Sequence, residues 1–254
     1  MTHTHRTHHH SARATSSSLA GRRRTRMAMQ ERAVRTRTSL LRAAAAVFAE
    51  EGYVPSSLAA ISKRAGVSNG ALHFHFENKK ALARAVEDQA ADAVRRLVQP
   101  VHGAETGALQ AVVDATYGLL GSFLDDIVVR AGFELGSQHA LGPEARMLHV
   151  WHEWVDQTLH RAKAEGQLAP GVSPGDAAKA VVAVTVGLRV LAVGDPRWLA
   201  ERRIAAFWEL LLASIAAEPG RIRVRPRSRE QAHRGRSGAR RPTAAAPRQD
   251  PARQ

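Results

Sequence analysis

The chain has 254 residues, 44% of them hydrophobic, which is enough to bury the core of one or two domains. It contains no cysteine, which excludes disulfides and thiolate metal sites and is in keeping with a reducing cytoplasm. No apolar run of membrane-spanning length is evident, and the basic N-terminus lacks the apolar segment of a signal peptide, so neither is expected.

The formal net charge of +14 is distributed unevenly along the chain. Residues 1–26 carry six arginines and no acidic residue, and residues 218–254 carry eleven arginines and three acidic residues. Both segments have few large apolar residues, so a disordered basic leader and a disordered basic tail are predicted. Between them, residues 27–80 carry +4 and residues 81–217 carry −4. A folded part with one cationic end is expected of a protein that meets DNA phosphates at that end only.

The first predicted helix covers about residues 30–51, where apolar side chains recur three and four residues apart, and it ends at Gly52. Arg37, near its start, either contacts phosphate or belongs to a solvated basic face. Met27 and Met29 come immediately before this helix, and a start of translation at either one is a hypothesis that would remove the leader.

Two short helices joined by a tight turn are predicted over residues 57–79. Gly66 stands where a helix end favours a positive φ, and Ser57 and Ser68 supply side-chain oxygens that cap the two helices. A helix pair of this kind is either an ordinary helical hairpin or a helix-turn-helix that places its second helix in the DNA major groove.

The exposed face of the second helix favours the helix-turn-helix. We predict that Asn69 and Gly70 lie at base edges and that His73 contacts phosphate. Asn78 caps the next helix, whose free amides form a phosphate-binding site together with Lys79. The full set of predicted DNA contacts is Arg37, Ser57, Ser68, Asn69, Gly70, His73 and Lys79.

The remaining chain predicts six more helices and no strand, because no segment alternates with a period of two. These helices cover about residues 79–98, 107–125, 126–139, 143–165, 174–193 and 197–217. The predicted fold is therefore all-α, with about nine helices. A three-helix DNA-binding domain over 27–80 precedes a helical ligand-binding and dimerisation domain over 81–217, and the helix at 79–98 links the two.

Several short runs resemble one known family. Ala65-Gly66-Val67-Ser68, the run from Gly70 to Phe76, and Asn78-Lys79 resemble the DNA-binding domain of tetracycline-repressor (TetR) family regulators. Residues 29–37, Val129 to Gly132 and Val186 to Val190 are similar to the γ-butyrolactone autoregulator receptors of actinomycetes. The resemblance extends over about residues 27–217. His73 departs from it, because relatives commonly have Tyr there.

This resemblance implies a cytoplasmic, nucleoid-associated homodimer that represses transcription by binding double-stranded operator DNA. Binding of a small apolar signal of the butyrolactone kind would release the DNA. The alternative is a regulator of the same family that responds to another ligand, such as an antibiotic, or to none.

The helix at 143–165 carries two tryptophans three residues apart, Trp151 and Trp154, which form either ordinary core or the wall of a pocket. In the receptors that the chain resembles, a Trp matching Trp151 packs on the lactone ring and a residue matching Gln89 bonds the ligand. Thr185 bonds either a ligand carbonyl or its own helix. We predict a ligand site made of Gln89, Trp151, Trp154 and Thr185.

The last two predicted helices are apolar on more than one side, so one face packs on the domain and the other is predicted to pair with a second copy. Specific binding favours a dimer, because one helix-turn-helix makes few base contacts and two half-sites supply more. The predicted dimer residues are Val182, Val186, Phe207 and Leu211.

Two rival functions are less well supported. His73, His75 and Glu77 superficially resemble metal-hydrolase ligands, but residues two apart on a helix point away from each other. The helix at 143–165 lacks the His-Glu-x-x-His order of zinc proteases, and no phosphate-binding loop is present, so no enzyme activity, metal or cofactor is predicted. The other rival is a protein that binds nucleic acid only through its basic termini, by counterion release.

Overall fold

The computed structural model describes residues 11–99, 107–137 and 146–224, with side chains from Arg26 onward. Nine α-helices lie within these ranges, which confirms the predicted all-α fold. They are α1 (Ser11–Glu51), α2 (Leu58–Ala65), α3 (Asn69–His75), α4 (Lys79–Val98), α5 (Ala108–Asp125), α6 (Ile127–Ser137), α7 (Arg146–Ala164), α8 (Pro174–Leu191) and α9 (Glu201–Ile215). Two short 3₁₀ turns, Pro196–Leu199 and Pro219–Arg221, flank α9, and the extended pairing in the described part is one isolated bridge between Leu168 and Ala216.

The first helix is longer than predicted. It begins at Ser11 rather than near residue 30, so residues 11–26 are helical instead of disordered, while residues 1–10 lie outside the described part. The sequence has no proline before Pro55, so nothing interrupts the ladder of backbone hydrogen bonds through the Ala-, Arg- and Ser-rich segment. Along α1 the first fully buried side chain is Leu40, and the residues described before it are exposed or half-buried.

One continuous apolar core connects the helix-turn-helix region to the remaining helices. α6 packs against both α1 and α4, and α4 in turn packs against α7. The apolar face of α4 is buried along its length, from Leu82 to Val94. The predicted domain boundary near residue 80 therefore falls at the start of a helix that contributes to both parts of the core.

The basic tail also begins later than predicted. Ile222 and Val224 pack on the core, Tyr117 donates a hydrogen bond to the carbonyl of Val224, and Gln110 exchanges two hydrogen bonds with the backbone of Arg223. The disorder predicted from residue 218 is therefore wrong for 218–224, because two apolar side chains and a buried amide anchor this segment. Residues 225–254 lie outside the described part.

The segment Pro174–Gly194, which contains α8, contradicts the expectation that no apolar run is long enough to span a membrane. By length and composition alone it is long and apolar enough to cross a membrane, the one such segment among the described residues. Its apolar character has a local explanation, because Val181, Thr185 and Leu188 are buried in the helical core while Val190 on the same helix is exposed. A helix that is packed in the core of a helical domain passes the same test of length and composition as a membrane helix.

Candidate functional site

The turn between α2 and α3 has the predicted geometry. Gly66 adopts a left-handed conformation with φ of 69°, where a Cβ would be strained. Ser57 accepts a hydrogen bond from the N–H of Ala60 and Ser68 accepts one from Ala71, each at 3.1 Å. These two caps fix where each helix begins, and both serine side chains remain on the exposed surface.

One side of α3 is buried and the other faces outward. Leu72 and the following Phe76 are in the core, whereas Asn69, Gly70 and His73 are exposed as predicted. A Cβ on Gly70 would approach one atom of another residue, the Ser68 hydroxyl oxygen, at 3.9 Å, so nothing within the protein requires glycine there. The missing side chain instead leaves the α3 backbone open to an approaching partner.

Phe74 also lies on the outward side of α3 and was missed as a contact in the sequence. Its ring is 82% exposed, one helical turn after Gly70. An exposed phenylalanine that packs edge-on against His75 leaves an apolar surface available for a thymine methyl group. The signal was present, since a phenylalanine at this spacing falls outside the buried stripe of Leu72 and Phe76.

Asn69 is tied to α2. The hydroxyl oxygen of Ser62 lies 3.0 Å from the carbonyl oxygen of Ala59 and also within hydrogen-bonding distance of the Asn69 amide. A hydroxyl has one proton, and the closer acceptor is the side-chain oxygen Oδ1 of Asn69, to which Ser62 donates. The NH₂ group of Asn69 is then left to donate to a base.

Lys79 has a different environment from the one predicted. Its ammonium group donates to the carbonyl oxygens of Tyr53, Val54 and Ser56 at 2.9, 3.1 and 2.8 Å, and lies 4.6 Å from the centre of the Tyr53 ring. An ammonium has three hydrogens, and these three carbonyls use all of them. The side chain therefore fastens the α1–α2 loop to the start of α4.

The N-terminus of α4 is still suited to a phosphate. Asn78 accepts a hydrogen bond from Ala81 at 2.8 Å, as predicted for a cap, and Lys80 beside it is exposed. Arg37 reaches across from α1, and its guanidinium carbon lies 4.5 Å from the centre of the Phe76 ring. This cation–π contact holds the arginine next to the end of α3.

Two of the predicted ligand residues carry buried polar atoms without partners in the described structure. Trp151 is fully buried, and its indole N–H makes no hydrogen bond. The side-chain oxygen of Gln89 is likewise buried and unpaired. These residues belong to α7 and α4, which pack against each other. Trp154 stacks on Trp151 with ring centres 5.7 Å apart and an angle of 22°.

Thr185 forms a hydrogen bond within its own helix, which is one of the two roles that the sequence left open. Its hydroxyl donates to the carbonyl of Val181, one turn earlier in α8, at 2.7 Å. A ligand role for Thr185 stays a prediction that requires this bond to be shared or broken.

The start of α7 is held by α4 through residues that the sequence analysis did not single out. Glu87, almost fully buried, accepts a hydrogen bond from the backbone N–H of Arg146 at 2.9 Å, and the Arg146 guanidinium pairs with Asp88. Burial raises the pKa of Glu87, and the hydrogen bond from Arg146 opposes this shift. Glu87 and Asp88 lie 59 and 58 residues before Arg146, so these contacts could not be predicted from local sequence patterns.

A largely buried ion pair joins α6 to α8. The Arg189 guanidinium lies 2.5 Å from Glu134 and sits near the faces of Phe123 and Phe133, with its carbon 5.7 and 5.4 Å from the ring centres. Burial lowers the pKa of Arg189, and Glu134 opposes the shift.

The predicted dimer residues lie on α8 and α9, and further apolar side chains on or next to these two helices are exposed. Val182, Val186, Phe207 and Leu211 are half-buried within their own chain. Further apolar side chains beside them are about half exposed or more: Val190, Leu191, Val193 and Leu210.

The geometry defines an all-α DNA-binding protein with a helix-turn-helix next to a helical domain, and the comparisons identify its family. The model described as bacterial regulatory proteins, tetR family, matches residues 40–86, and the one described as the tetracyclin repressor-like C-terminal domain matches residues 106–217. The A-factor receptor protein of Streptomyces griseus is 32% identical over 228 residues, 84% of this chain and 79% of that protein.

Solved structures agree with this assignment. A gamma-butyrolactone receptor described as ArpA-like is 29% identical, with a TM-score of 0.65 over 73% of this chain and 90% of that one. CprB from Streptomyces coelicolor, in complex with its biological operator sequence, is 30% identical, with a TM-score of 0.64 over 75% of this chain and 94% of that one. The chain therefore belongs to the TetR family. It is a DNA-binding transcription regulator related to butyrolactone receptors and is not an enzyme.

Proposed function

We propose that the protein is a homodimeric repressor that binds an operator in the cytoplasm, at the nucleoid, and releases it when a γ-butyrolactone-like signal binds. The observation that carries this proposal is the pair of unpartnered buried polar atoms, the indole N–H of Trp151 and the side-chain oxygen of Gln89. Leaving a buried polar group unpaired costs about 1–3 kcal/mol. A small molecule with an acceptor and a donor can satisfy both atoms, while its ring packs on Trp151.

The position of Gln89 supports coupling to DNA binding. Gln89 lies in α4, whose first turn carries Lys79 and the phosphate-binding amides. A ligand that binds Gln89 better in one orientation of α4 than in another shifts the population toward that orientation. Moving the equilibrium from 1:99 to 99:1 requires a difference in binding free energy of about 5.5 kcal/mol.

The DNA contacts are assigned from exposure and pairing. Asn69, Gly70 and Phe74 face the base edges. The phosphates are contacted by His73, Ser57, the Arg37 guanidinium, Lys80 and the first amides of α4. Lys79 instead positions the N-terminus of α4. The exposed apolar surface of α8 and α9 pairs two copies, so that two α3 helices meet half-sites about 34 Å apart on the same side of the duplex.

The proposal is tested by measuring binding of the protein to its own upstream DNA by gel shift, with and without candidate butyrolactones. Release of the shifted band by a lactone is expected for the wild type and is expected to be lost in Trp151→Phe and Gln89→Leu. Trp208→Phe is the matched control, because Trp208 is also fully buried with an unpaired indole N–H but lies in α9.

Two results would contradict the proposal. One is specific DNA binding that no lactone changes, which favours a regulator of the same family with another ligand or none. The other is equal loss of response in Trp151→Phe and Trp208→Phe, which indicates a general packing defect. A chain lacking residues 1–26 and 225–254 should keep its footprint, since a protein bound only through its basic termini would lose it.

A further inference from the structure

A concave site opens on the outside of the C-terminal helical domain, where α4, α7 and α8 meet. It is a cleft of about 910 Å³, a volume in the range of small-molecule sites. Its lining does not include Trp151 or Gln89, although Val150 and His152, the neighbours of Trp151 in sequence, are part of it. Because successive residues of a helix point in different directions, α7 presents one face to the buried site and another to this cleft.

The lining of the cleft contains more cations than carboxylates, whereas the domain around it contains more acidic than basic residues. Residues 81–217 carry four more acidic than basic residues. The cleft nevertheless collects Arg95 from α4, Arg146 from α7 and Lys179 from α8, with Asp88 as the one carboxylate in its lining. Each of the three helices thus contributes one cation to a single concavity. Because these cations lie close together, the cleft favours binding of an anion.

Two of the three cations, Arg95 and Lys179, are held only in exposed ion pairs among the printed contacts of the described residues. Arg95 pairs with Asp92, and Lys179 with Asp176, in bridges whose side chains are more than half exposed. Exposed ion pairs contribute little free energy, so an incoming anion can share these cations. Arg146 pairs with Asp88 in a bridge whose side chains are about half exposed, and that bridge joins α7 to α4.

The rest of the lining is apolar. Leu148 and Val150 come from α7, and Val182 and Ala183 from α8. A purely inorganic anion would leave this surface unused, whereas a molecule with an acidic group and an apolar body can cover both parts. Val182 also belongs to the predicted dimer surface, so the cleft lies beside that surface.

We propose that this cleft is a second ligand site, separate from the buried Trp151–Gln89 site, and that it binds an amphipathic organic anion. The acidic group lies among Arg95, Arg146 and Lys179, and the apolar body lies against α7 and α8. This site goes beyond the proposed release by a butyrolactone-like signal and does not depend on it.

The test uses two fluorescent probes with the same ring system and the intact dimer isolated by gel filtration. Anilinonaphthalene sulfonate carries a sulfonate, and phenylnaphthylamine lacks it. The wild type is expected to bind the sulfonate more tightly, with an affinity that falls as salt is raised. Lys179→Gln and Arg95→Gln are each expected to weaken sulfonate binding about threefold to fivefold and to leave phenylnaphthylamine binding unchanged.

The matched control is Arg96→Gln, since Arg96 is exposed on α4 next to Arg95 but does not line the cleft. The proposal is overturned if Arg96→Gln has the same effect as Arg95→Gln, or if the two probes bind equally. It is also overturned if Trp151→Phe abolishes sulfonate binding, because the probe would then occupy the buried site. The lactone-release assay is a separate measurement, so either proposal can fail without the other.

Discussion

Replacement of Lys79 by methionine separates two roles for this residue, phosphate contact and positioning. The structure gives the ammonium three carbonyl acceptors and one aromatic ring, all from the α1–α2 loop. At a net value of about 1 kcal/mol for each hydrogen bond, discounted for solvent because the group is half-exposed, the loss is about 2–3 kcal/mol of unfolding free energy. The cation–π contact contributes about 0.5 kcal/mol more.

The assay combines urea unfolding at a fixed protein concentration with operator binding at several salt concentrations. Lys79→Met is expected to lower the urea midpoint by an amount equivalent to about 2.5–3.5 kcal/mol of unfolding free energy. The slope of log affinity against log salt is expected to stay near that of the wild type, because no phosphate contact is removed. Lys80→Met is the control, with unchanged unfolding and a slope reduced by about 1.8 for the two protomers of a dimer.

The positioning role is refuted if Lys79→Met unfolds like the wild type and loses about 1.8 from the salt slope. That pair of results would restore the direct phosphate contact expected from the sequence.

Three further predictions concern single sites. Gly70→Ala is expected to leave the free energy of unfolding unchanged or raise it by up to about 1 kcal/mol while weakening operator binding, since a methyl group obstructs the backbone's approach to DNA; urea unfolding and gel shift measure the two effects. Glu87 has a raised pKa when folded, so its contribution to stability is fully present below its unfolded pKa and is lost as pH rises through the folded value. Glu87→Gln keeps an acceptor for Arg146 and should remove this part of the pH dependence, leaving the variant at least as stable as wild type at pH 7; unfolding curves from pH 4 to pH 8 test it. Arg189→Met is expected to lose about 3 kcal/mol because Glu134 is left unpaired, and the double variant with Glu134→Gln should recover part of the loss in the same urea assay.

Features that depend on a few neighbouring residues could be predicted from the sequence. The caps at Ser57, Ser68 and Asn78 each bond an N–H three residues later, and Gly66 takes the left-handed conformation expected at a helix end. Such contacts lie within one turn of helix, so local chemistry determines them. The buried stripe of α4 follows from helical periodicity for the same reason.

Features that depend on distant parts of the chain could not be predicted. Lys79 finds acceptors 23–26 residues away, and the sequence showed only a cation at a helix start. Arg189 and Glu134 are 55 residues apart, and their pairing depends on how α6 and α8 pack. Disorder was wrongly predicted for residues 218–224 because Gln110, 113 residues before Arg223, binds the backbone of that residue. Composition alone carries no information about such partners.

The three hydrogen bonds that join Lys79 to the α1–α2 loop have a mechanical consequence for the proposed operator release. Because the first turn of α4 is bonded to the α1–α2 loop, α4 acts as a lever on the DNA-binding domain. A tilt of α4 therefore moves that domain instead of being absorbed by a flexible connection. Twenty residues at 1.5 Å each make this lever about 30 Å long. A tilt of about 6–7° around its far end displaces the DNA-binding domain by about 3.4 Å, the rise of one base pair, which is sufficient to move one half of a dimer out of step with its half-site.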